Sequence, residues 1–158
     1  MKRFASITAL TAVALAVALS VGAWGKGHGN GQKKGRGHAV TVIEHATTDT
    51  TTDTGAPNDS AGDVLTFAND VFDAADANKV GTDNGYCIRT VAGAAYECNW
   101  TVFLPKGQIT VEGPFYDAKD STLAITGGTG RYRHVRGTMD LQSREGGTKF
   151  AFVFHLNS

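Results

Sequence analysis

Apolar and polar positions alternate at every second residue through the C-terminal part of the chain. In the last such segment Phe150, Phe152 and Phe154 share one face, whereas Lys149 and His155 share the other. Since successive side chains of a β-strand point to opposite faces, a period of two predicts strands with one buried face. No long segment has helical periodicity, so the pattern predicts an all-β domain.

Eight segments carry this pattern, and turn-forming residues separate them. The connections after the third segment are short, which is typical of consecutive antiparallel neighbours. The second segment has an irregularity at Ala68-Asn69, where the alternation breaks. The predicted strands are 39–46, 63–73, 85–91, 96–104, 108–117, 121–126, 137–143 and 148–156. We predict an eight-stranded antiparallel β-barrel, because closure removes exposed sheet edges and leaves room for one small ligand.

A glycine cluster, Gly127, Gly128 and Gly130, resembles a phosphate-binding loop at first sight. Neither the Gly-Lys-Ser/Thr sequence nor the full dinucleotide-binding spacing accompanies it, and no amphipathic helix follows. We therefore interpret these glycines as a tight turn or bulge with positive φ angles, with Tyr132 packed beside the bend.

The N-terminus has the pattern of a secretory signal peptide over residues 1–23. A basic start is followed by an apolar stretch and by the small residues Val21-Gly22-Ala23. A retained membrane anchor is the alternative, although the apolar stretch is slightly short for it. After cleavage the chain would be nearly neutral, since only Lys2 and Arg3 are lost from 15 basic and 15 acidic residues. We expect a secreted protein that binds neither nucleic acid nor membrane.

Two polar segments frame the start of the predicted domain, which spans residues 39–158. Residues 24–38 alternate glycine with basic and polar residues and are predicted to form a flexible arm. His28 and His38 in that arm lack the fixed geometry of metal ligands, so no metal site is expected. Residues 47–60, rich in Thr and Asp, are predicted to form a long loop.

Two cysteines remain after signal cleavage, and an even number outside the cytoplasm favours a disulfide. A two-residue hairpin at Ala92-Gly93 would place Cys87 opposite Cys98 on one face. Directly opposed strand residues are close enough for such a bridge. The alternative is a free Cys87 thiol inside a pocket.

Apolar residues also occur on the second face of several strands, as at Phe103 and Val153. A monomeric barrel would have a more polar exterior, so we expect these residues to cover another subunit or to lie under the long loops. The pattern favours a homo-oligomer.

Four segments resemble the allene oxide cyclase and dirigent-like barrel superfamily, in the same order along the chain. They are GDVLTFANDVFD (62–73), GYCIRT (85–90), ITVEGPFYD (109–117) and LAITGGTGRYRHVRGTMDL (123–141). The resemblance implies an eight-stranded barrel with an apolar cavity, no cofactor and commonly a trimer. Plant cyclases of this kind isomerise an unstable fatty-acid epoxide, and dirigent relatives control the stereochemistry of phenoxy coupling.

The resemblance also implies site residues. Glu44 is similar to the buried glutamate of the first strand and is the candidate catalytic residue, because desolvation would raise its pKa. The implied ligand-binding residues are Leu65, Asn69, Cys87 and Phe115.

Three departures from the plant pattern argue against the plant reaction itself. Phe115 stands where that pattern has tyrosine, and Ala46 stands where it has asparagine. A disulfide would also remove the thiol of Cys87.

Two functions remain open. The first is a cofactor-free cyclase, isomerase or dirigent-like protein that holds a small apolar and reactive molecule in one conformation. The second is a secreted, non-catalytic binding or structural module. An open pocket lined by Glu44, Asn69 and Phe115 would favour the first, and a plugged barrel the second.

Overall fold

The computed structural model describes residues 38–157, and ten strands lie within them. In chain order they are β1 His38–His45, β2 Thr50–Thr52, β3 Val64–Phe67, β4 Asp70–Phe72, β5 Lys79–Val91, β6 Ala95–Leu104, β7 Gly107–Tyr116, β8 Ser121–Gly128, β9 Arg136–Arg144 and β10 Lys149–Asn157. Short 3-10 turns at Gly130–Tyr132 and Glu145–Gly147 precede β9 and β10.

The strands form one closed antiparallel sheet. From β5 through β10 each strand pairs with the next, β10 pairs with β1, and β1 pairs with β4. Both β3 and β4 pair with β5, so together they act as one interrupted strand of the barrel. The short β2 adds to β3. With β3 and β4 counted as one strand, the barrel has eight strands, which confirms the predicted eight-stranded barrel.

Several predicted boundaries change in the structure. The predicted strand 63–73 is divided into β3 and β4 at Ala68-Asn69, the position of the predicted irregularity. The predicted loop 47–60 contains β2, so it is not wholly irregular. Strand β5 begins at Lys79 instead of Gly85, because Asp70 and Val71 of β4 pair with its first part.

Side chains in the lumen lie in layers set by the strand register. One layer joins Cys87 to Cys98, and the next joins Gly85 to Trp100. Gly85 must be glycine, because an added Cβ would lie 2.2 Å from the Cβ of Trp100. The backbone of β5 therefore approaches β6 closely, and the buried Trp100 side chain lines the lumen cavity.

The glycine cluster is structural, but only part of its predicted geometry is found. Gly130 has a positive φ of 57°, whereas Gly127 and Gly128 lie inside β8. The β7–β8 pairing shifts register between Thr110 and Val111, beside these glycines. A Cβ on Gly128 would meet the backbone oxygen of Tyr132 at 2.6 Å, so the bend does pack against Tyr132.

The predicted signal peptide and nearly all of the predicted arm lie outside the described residues. Of the arm, His38 is described, and it is the first residue of β1. Between His38 and Asn157 there is no helix with the length and apolar character needed to cross a membrane.

Candidate functional site

The barrel lumen holds a cavity with apolar walls and two acidic residues, Glu44 and Asp49. The space open to the centre of a water molecule is about 40 Å³. The cavity is lined by Glu44, Asp49, Leu65, Phe67, Cys87, Cys98, Trp100, Phe115, Leu141, Phe150 and Phe152. Because one water needs roughly 10 to 15 Å³ on this measure, the free space fits only a few water-sized groups.

Aromatic rings make up much of the cavity wall. Phe115 and Phe150 meet edge to face with ring centroids 5.8 Å apart, and Trp100 lies 5.6 Å from Phe152. Tyr96 stacks on the outer side of Phe115 at 6.1 Å. Such a wall favours flat, unsaturated or hydrocarbon guests, since it offers dispersion contacts and few hydrogen bonds.

Glu44 brings a carboxyl group into this apolar surrounding. It lies on β1 opposite Phe150 of β10 and opposite Val71 of β4, and 5% of its surface is exposed. Asn69 donates from Nδ2 to Oε1 of Glu44 at 2.8 Å. The carboxyl is therefore held in one orientation while it faces the cavity.

Asn69 is fixed by the segment after β1. Its side-chain oxygen accepts hydrogen bonds from the backbone N–H groups of Thr47 and Thr48 at 3.0 and 2.9 Å, and from the Thr48 hydroxyl at 2.9 Å. Its amide nitrogen also donates to Oδ1 of Asp49 at 2.8 Å. The break between β3 and β4 thus places a fully bonded amide beneath Glu44.

A second buried carboxyl, that of Asp83 on β5, accompanies Glu44. Its backbone exchanges two hydrogen bonds with Asn69, and its Oδ1 accepts from the Asn69 N–H at 3.2 Å. Within residues 38–157, Oδ2 of Asp83 is buried without a hydrogen-bond partner. The two carboxyl groups influence each other's pKa.

Burial changes the acid strength of both groups. Desolvation, followed by the charge of Asp83, raises the pKa of Glu44 to about 9. Desolvation also raises the pKa of Asp83 to about 7. At neutral pH Glu44 is therefore neutral and carries a proton that it can donate to a guest.

The predicted disulfide between Cys87 and Cys98 is present, and the two residues are directly opposed in the β5–β6 register. The turn itself has three residues instead of the predicted two, because Val91 pairs with Ala95. Cys87 lines the cavity as predicted by resemblance, but as half of a disulfide. The alternative of a free thiol in the pocket is therefore wrong for this structure.

An ionic cluster lies one layer outside Phe115. Arg89 and Tyr96 are paired in register, and the Arg89 guanidinium stacks on the Tyr96 ring at 3.6 Å. Arg89 binds both oxygens of Asp117 at 2.8 Å and pairs with Asp59 at 2.6 Å. The loop carrying Asp59 is thus tied to β5.

The structure brings most of the implied site residues together. Glu44, Leu65, Cys87 and Phe115 line one cavity, whereas Asn69 lies behind Glu44 and reaches the cavity only through it. Sequence reasoning missed Asp83, because the Lys79–Asn84 stretch contains glycine and polar residues typical of a loop. The available signal was that Asp83, Gly85 and Cys87 are spaced two residues apart and therefore share one face of a strand. Within the described part of the chain no group of acidic, His or Cys side chains has metal-binding geometry.

These features define a small antiparallel barrel with a buried acid in an aromatic lumen. The family model described as an allene oxide cyclase barrel-like domain matches residues 41–152. The chain therefore belongs to the allene oxide cyclase barrel-like family, as the sequence resemblance implied.

Solved structures with the same fold include proteins of several activities. A pyocyanin demethylase is 24% identical and aligns with a TM-score of 0.68, over 76% of this chain and 100% of that chain. An exo-specific intermolecular Diels–Alderase is 15% identical with a TM-score of 0.63, over 77% and 98%. A pterocarpan synthase dirigent protein is 16% identical with a TM-score of 0.59, over 78% and 97%. At these identities the likeness shows the fold.

Proposed function

We propose that this protein binds a small apolar molecule in its lumen and promotes a ring closure, isomerisation or stereocontrolled coupling of it, with Glu44 as proton donor. One observation carries the proposal: Glu44 is buried and oriented by Asn69 inside an aromatic cavity, where desolvation raises its pKa to about 9. A neutral acid in a water-poor site stabilises negative charge that develops on an oxygen of the guest.

The barrel contributes shape to such a reaction. The aromatic walls around Phe115 and Trp100 hold a flat or folded guest in a few conformations, so that one product is favoured. The aligned solved structures include a Diels–Alderase and a dirigent protein, and their names support a role of this kind.

The substrate should differ from the epoxide of the plant cyclases. Phe115 lacks the hydroxyl of the plant tyrosine, Ala46 lacks the amide of the plant asparagine, and Cys87 is bridged to Cys98. In this chain Glu44 and Asp49 are the acidic groups that line the cavity, and Asp83 lies behind. The guest is therefore oriented chiefly by shape and by one hydrogen bond from Glu44.

A second candidate is a non-catalytic binding or structural module. The observation in its favour is the small free volume of about 40 Å³. Arg89, held by Asp59 and Asp117, also packs on Tyr96, which stacks on Phe115 of the cavity wall. A guest larger than a few atoms then requires Phe115 or Phe150 to move.

Native mass spectrometry of the purified protein, with extraction of any retained small molecule, tests the proposal directly. We expect a retained apolar compound, and we expect an environment-sensitive apolar dye to bind with defined stoichiometry. Failure of both would leave the structural module as the function.

Two substitutions then separate chemistry from binding. Glu44→Gln should reduce turnover of the retained compound by about a hundredfold or more, with little change in dye affinity, because it removes a proton donor but hardly any volume. Phe115→Ala should change guest preference first. Glu112→Gln, on the exposed face of β7, is the matched control and should change neither. Equal turnover of the Glu44→Gln variant and the native protein would refute Glu44 as the acid.

Secretion after cleavage near Ala23 is part of the proposal, and the disulfide supports it because such bonds form outside the cytoplasm. The N-terminal residue of protein recovered from the culture medium tests it. A chain that retains residues 1–23 in the membrane fraction would support the anchor instead.

A further inference from the structure

A second and larger cavity lies at the opposite end of β1 from Glu44. Its volume is about 420 Å³, and it shares no lining residue with the lumen cavity. It is bounded by the start of β1, the end of β10, the β6–β7 turn and the Gly130–Tyr132 turn. The lining residues are His38, Val40, Lys106, Arg131, Tyr132, Val135 and Leu156.

The floor of this cavity, named here the basal cavity, is apolar. Tyr132, Val135 and Leu156 are each less than a tenth exposed and belong to the hydrophobic core. Val40 packs against the same core. A hydrocarbon group placed on this floor would be removed from water, which stabilises its binding.

The rim of the basal cavity is cationic. Lys106 and Arg131 are its exposed cations, His38 is exposed beside them, and no acidic side chain lines the cavity with them. Within residues 38–157 neither Lys106 nor Arg131 forms an ion pair, whereas Lys79, Arg89 and Lys149 each do. The first acidic residue of the whole sequence is Glu44, so the segment before His38 supplies no carboxylate either.

The backbone holds these cationic residues in place. The N–H of Arg131 donates to the carbonyl of Lys106 at 2.8 Å, which fixes the two residues side by side. Thr129 donates to the Gln108 carbonyl at 3.0 Å, and its hydroxyl accepts from the Gln108 N–H. His38 is paired with Leu156 in the β1–β10 register. The backbone positions of the rim residues are therefore fixed by the hydrogen bonds of the barrel.

We propose that the basal cavity binds a small amphiphilic anion, a carboxylate with a short hydrocarbon chain. The chain lies on the floor formed by Val135 and Leu156, and the carboxylate lies between Lys106 and Arg131. An exposed cation without a carboxylate partner gains more from an anionic ligand than a cation that is already paired. This site is separate from the lumen and from the acid chemistry of Glu44.

Calorimetric titration of the purified full chain with octanoate, and with 1-octanol as the neutral analogue of equal chain length, tests the proposal. We expect octanoate to bind more tightly than 1-octanol, and added salt to weaken only octanoate binding because rim charges are screened. In NMR spectra the signals of Tyr132, Val135 and Leu156 should shift, whereas those of Phe115 and Phe150 should not.

A pair of double variants gives the matched comparison. Lys106→Gln with Arg131→Gln should weaken octanoate binding by roughly tenfold or more, and should leave 1-octanol binding unchanged. Lys119→Gln with Arg144→Gln removes two cations at other turns of the barrel and should change neither. If the first pair unfolds the protein, the salt dependence and the NMR shifts of the native chain decide.

Three results would overturn the proposal. The first is that octanoate does not bind. The second is that its affinity is unchanged by salt and by the Lys106 and Arg131 substitutions. The third is that NMR shifts are confined to the lumen residues. The last would assign the fatty chain to the lumen cavity.

Discussion

Asn69 Nδ2 lies 2.8 Å from Glu44 Oε1, and the oxygen of the same amide accepts hydrogen bonds from the Thr47 and Thr48 N–H groups. One side chain thereby joins the break between β3 and β4, the turn after β1 and the acid of the lumen. Asn69 is 1% exposed and its amide is fully hydrogen-bonded, so the orientation of Glu44 depends on this amide.

We expect Asn69→Ala to lower the free energy of unfolding by about 2 to 4 kcal/mol, because buried groups of Glu44 and Thr48 lose their partner. Urea denaturation measures this change. Asn84→Ala, at an exposed position of β5, is the control and should stay within about 0.5 kcal/mol of the native protein. Equal stabilities for the two variants would contradict the assigned role of Asn69.

The pH dependence of stability should reveal the buried carboxyls. Native Glu44, with a pKa raised to about 9, and native Asp83, at about 7, keep protons that the unfolded chain releases near pH 4. Their stabilising contribution is therefore complete below pH 4 and is lost as the pH rises to about 9. The slope is about 1.4 kcal/mol per pH unit for each proton retained.

Glu44→Gln should make the decline between pH 5 and 9 shallower, since Asp83 alone then retains a raised pKa. Denaturation at several pH values measures this slope. Glu112→Gln is exposed and should keep the native slope. An unchanged slope in the Glu44 variant would show that Glu44 is ionised in the folded protein.

The disulfide should protect both cysteines from alkylation. Intact-mass analysis after treatment with iodoacetamide, without reductant, is expected to show no added group on Cys87 or Cys98. Reduction should cost about 2 to 3 kcal/mol of stability, as expected for a short closed loop. Two alkyl groups on folded, unreduced protein would restore Cys87 as a cavity thiol.

The outer face of β5 is the part of the barrel where we expect another subunit to bind. Tyr86, Ile88 and Val91 are 49%, 43% and 56% exposed, which is high for apolar residues that neighbour one another on a strand. Light scattering should give a homotrimer, as the family resemblance implies. Ile88→Glu should weaken the assembly. Thr122→Glu, at an exposed position of β8, is the control and should leave the assembly unchanged. A native monomer at high micromolar concentration would refute this expectation.

The alternation of apolar and polar residues was sufficient to predict the barrel and most strand positions. Cys87 and Cys98 could be paired because the hairpin register depends only on local sequence. Asp83 and Thr50–Thr52 could not be placed, since their burial and pairing depend on β4 and β3, which are distant in sequence. Both segments also have the polar composition of loops, so the sequence did not indicate the buried position of Asp83 or the strand Thr50–Thr52.

The site was predictable to a similar extent and for similar reasons. The family resemblance implied that Glu44 and Phe115 belong to the pocket, whereas the strand pattern alone left open whether Glu44 faces the lumen or solvent. Closure of the barrel brings both to one cavity. The sequence does not show that Asn69 turns towards Glu44 instead of towards the guest, because that orientation depends on the turn containing Thr48. Nor does it show how tightly the lumen is filled by Trp100 and Phe152.

A measurement of the protonation state of Glu44 tests its role as proton donor most directly. Carbon-13 NMR of the glutamate carboxyl groups, with the Glu44 signal assigned by its loss in Glu44→Gln, follows that group through a titration. We expect the Glu44 signal to remain at its protonated position through pH 7 and to move only near pH 9. A transition near pH 4.5, where an ordinary exposed glutamate ionises, would contradict it and would remove the proton donor from the lumen.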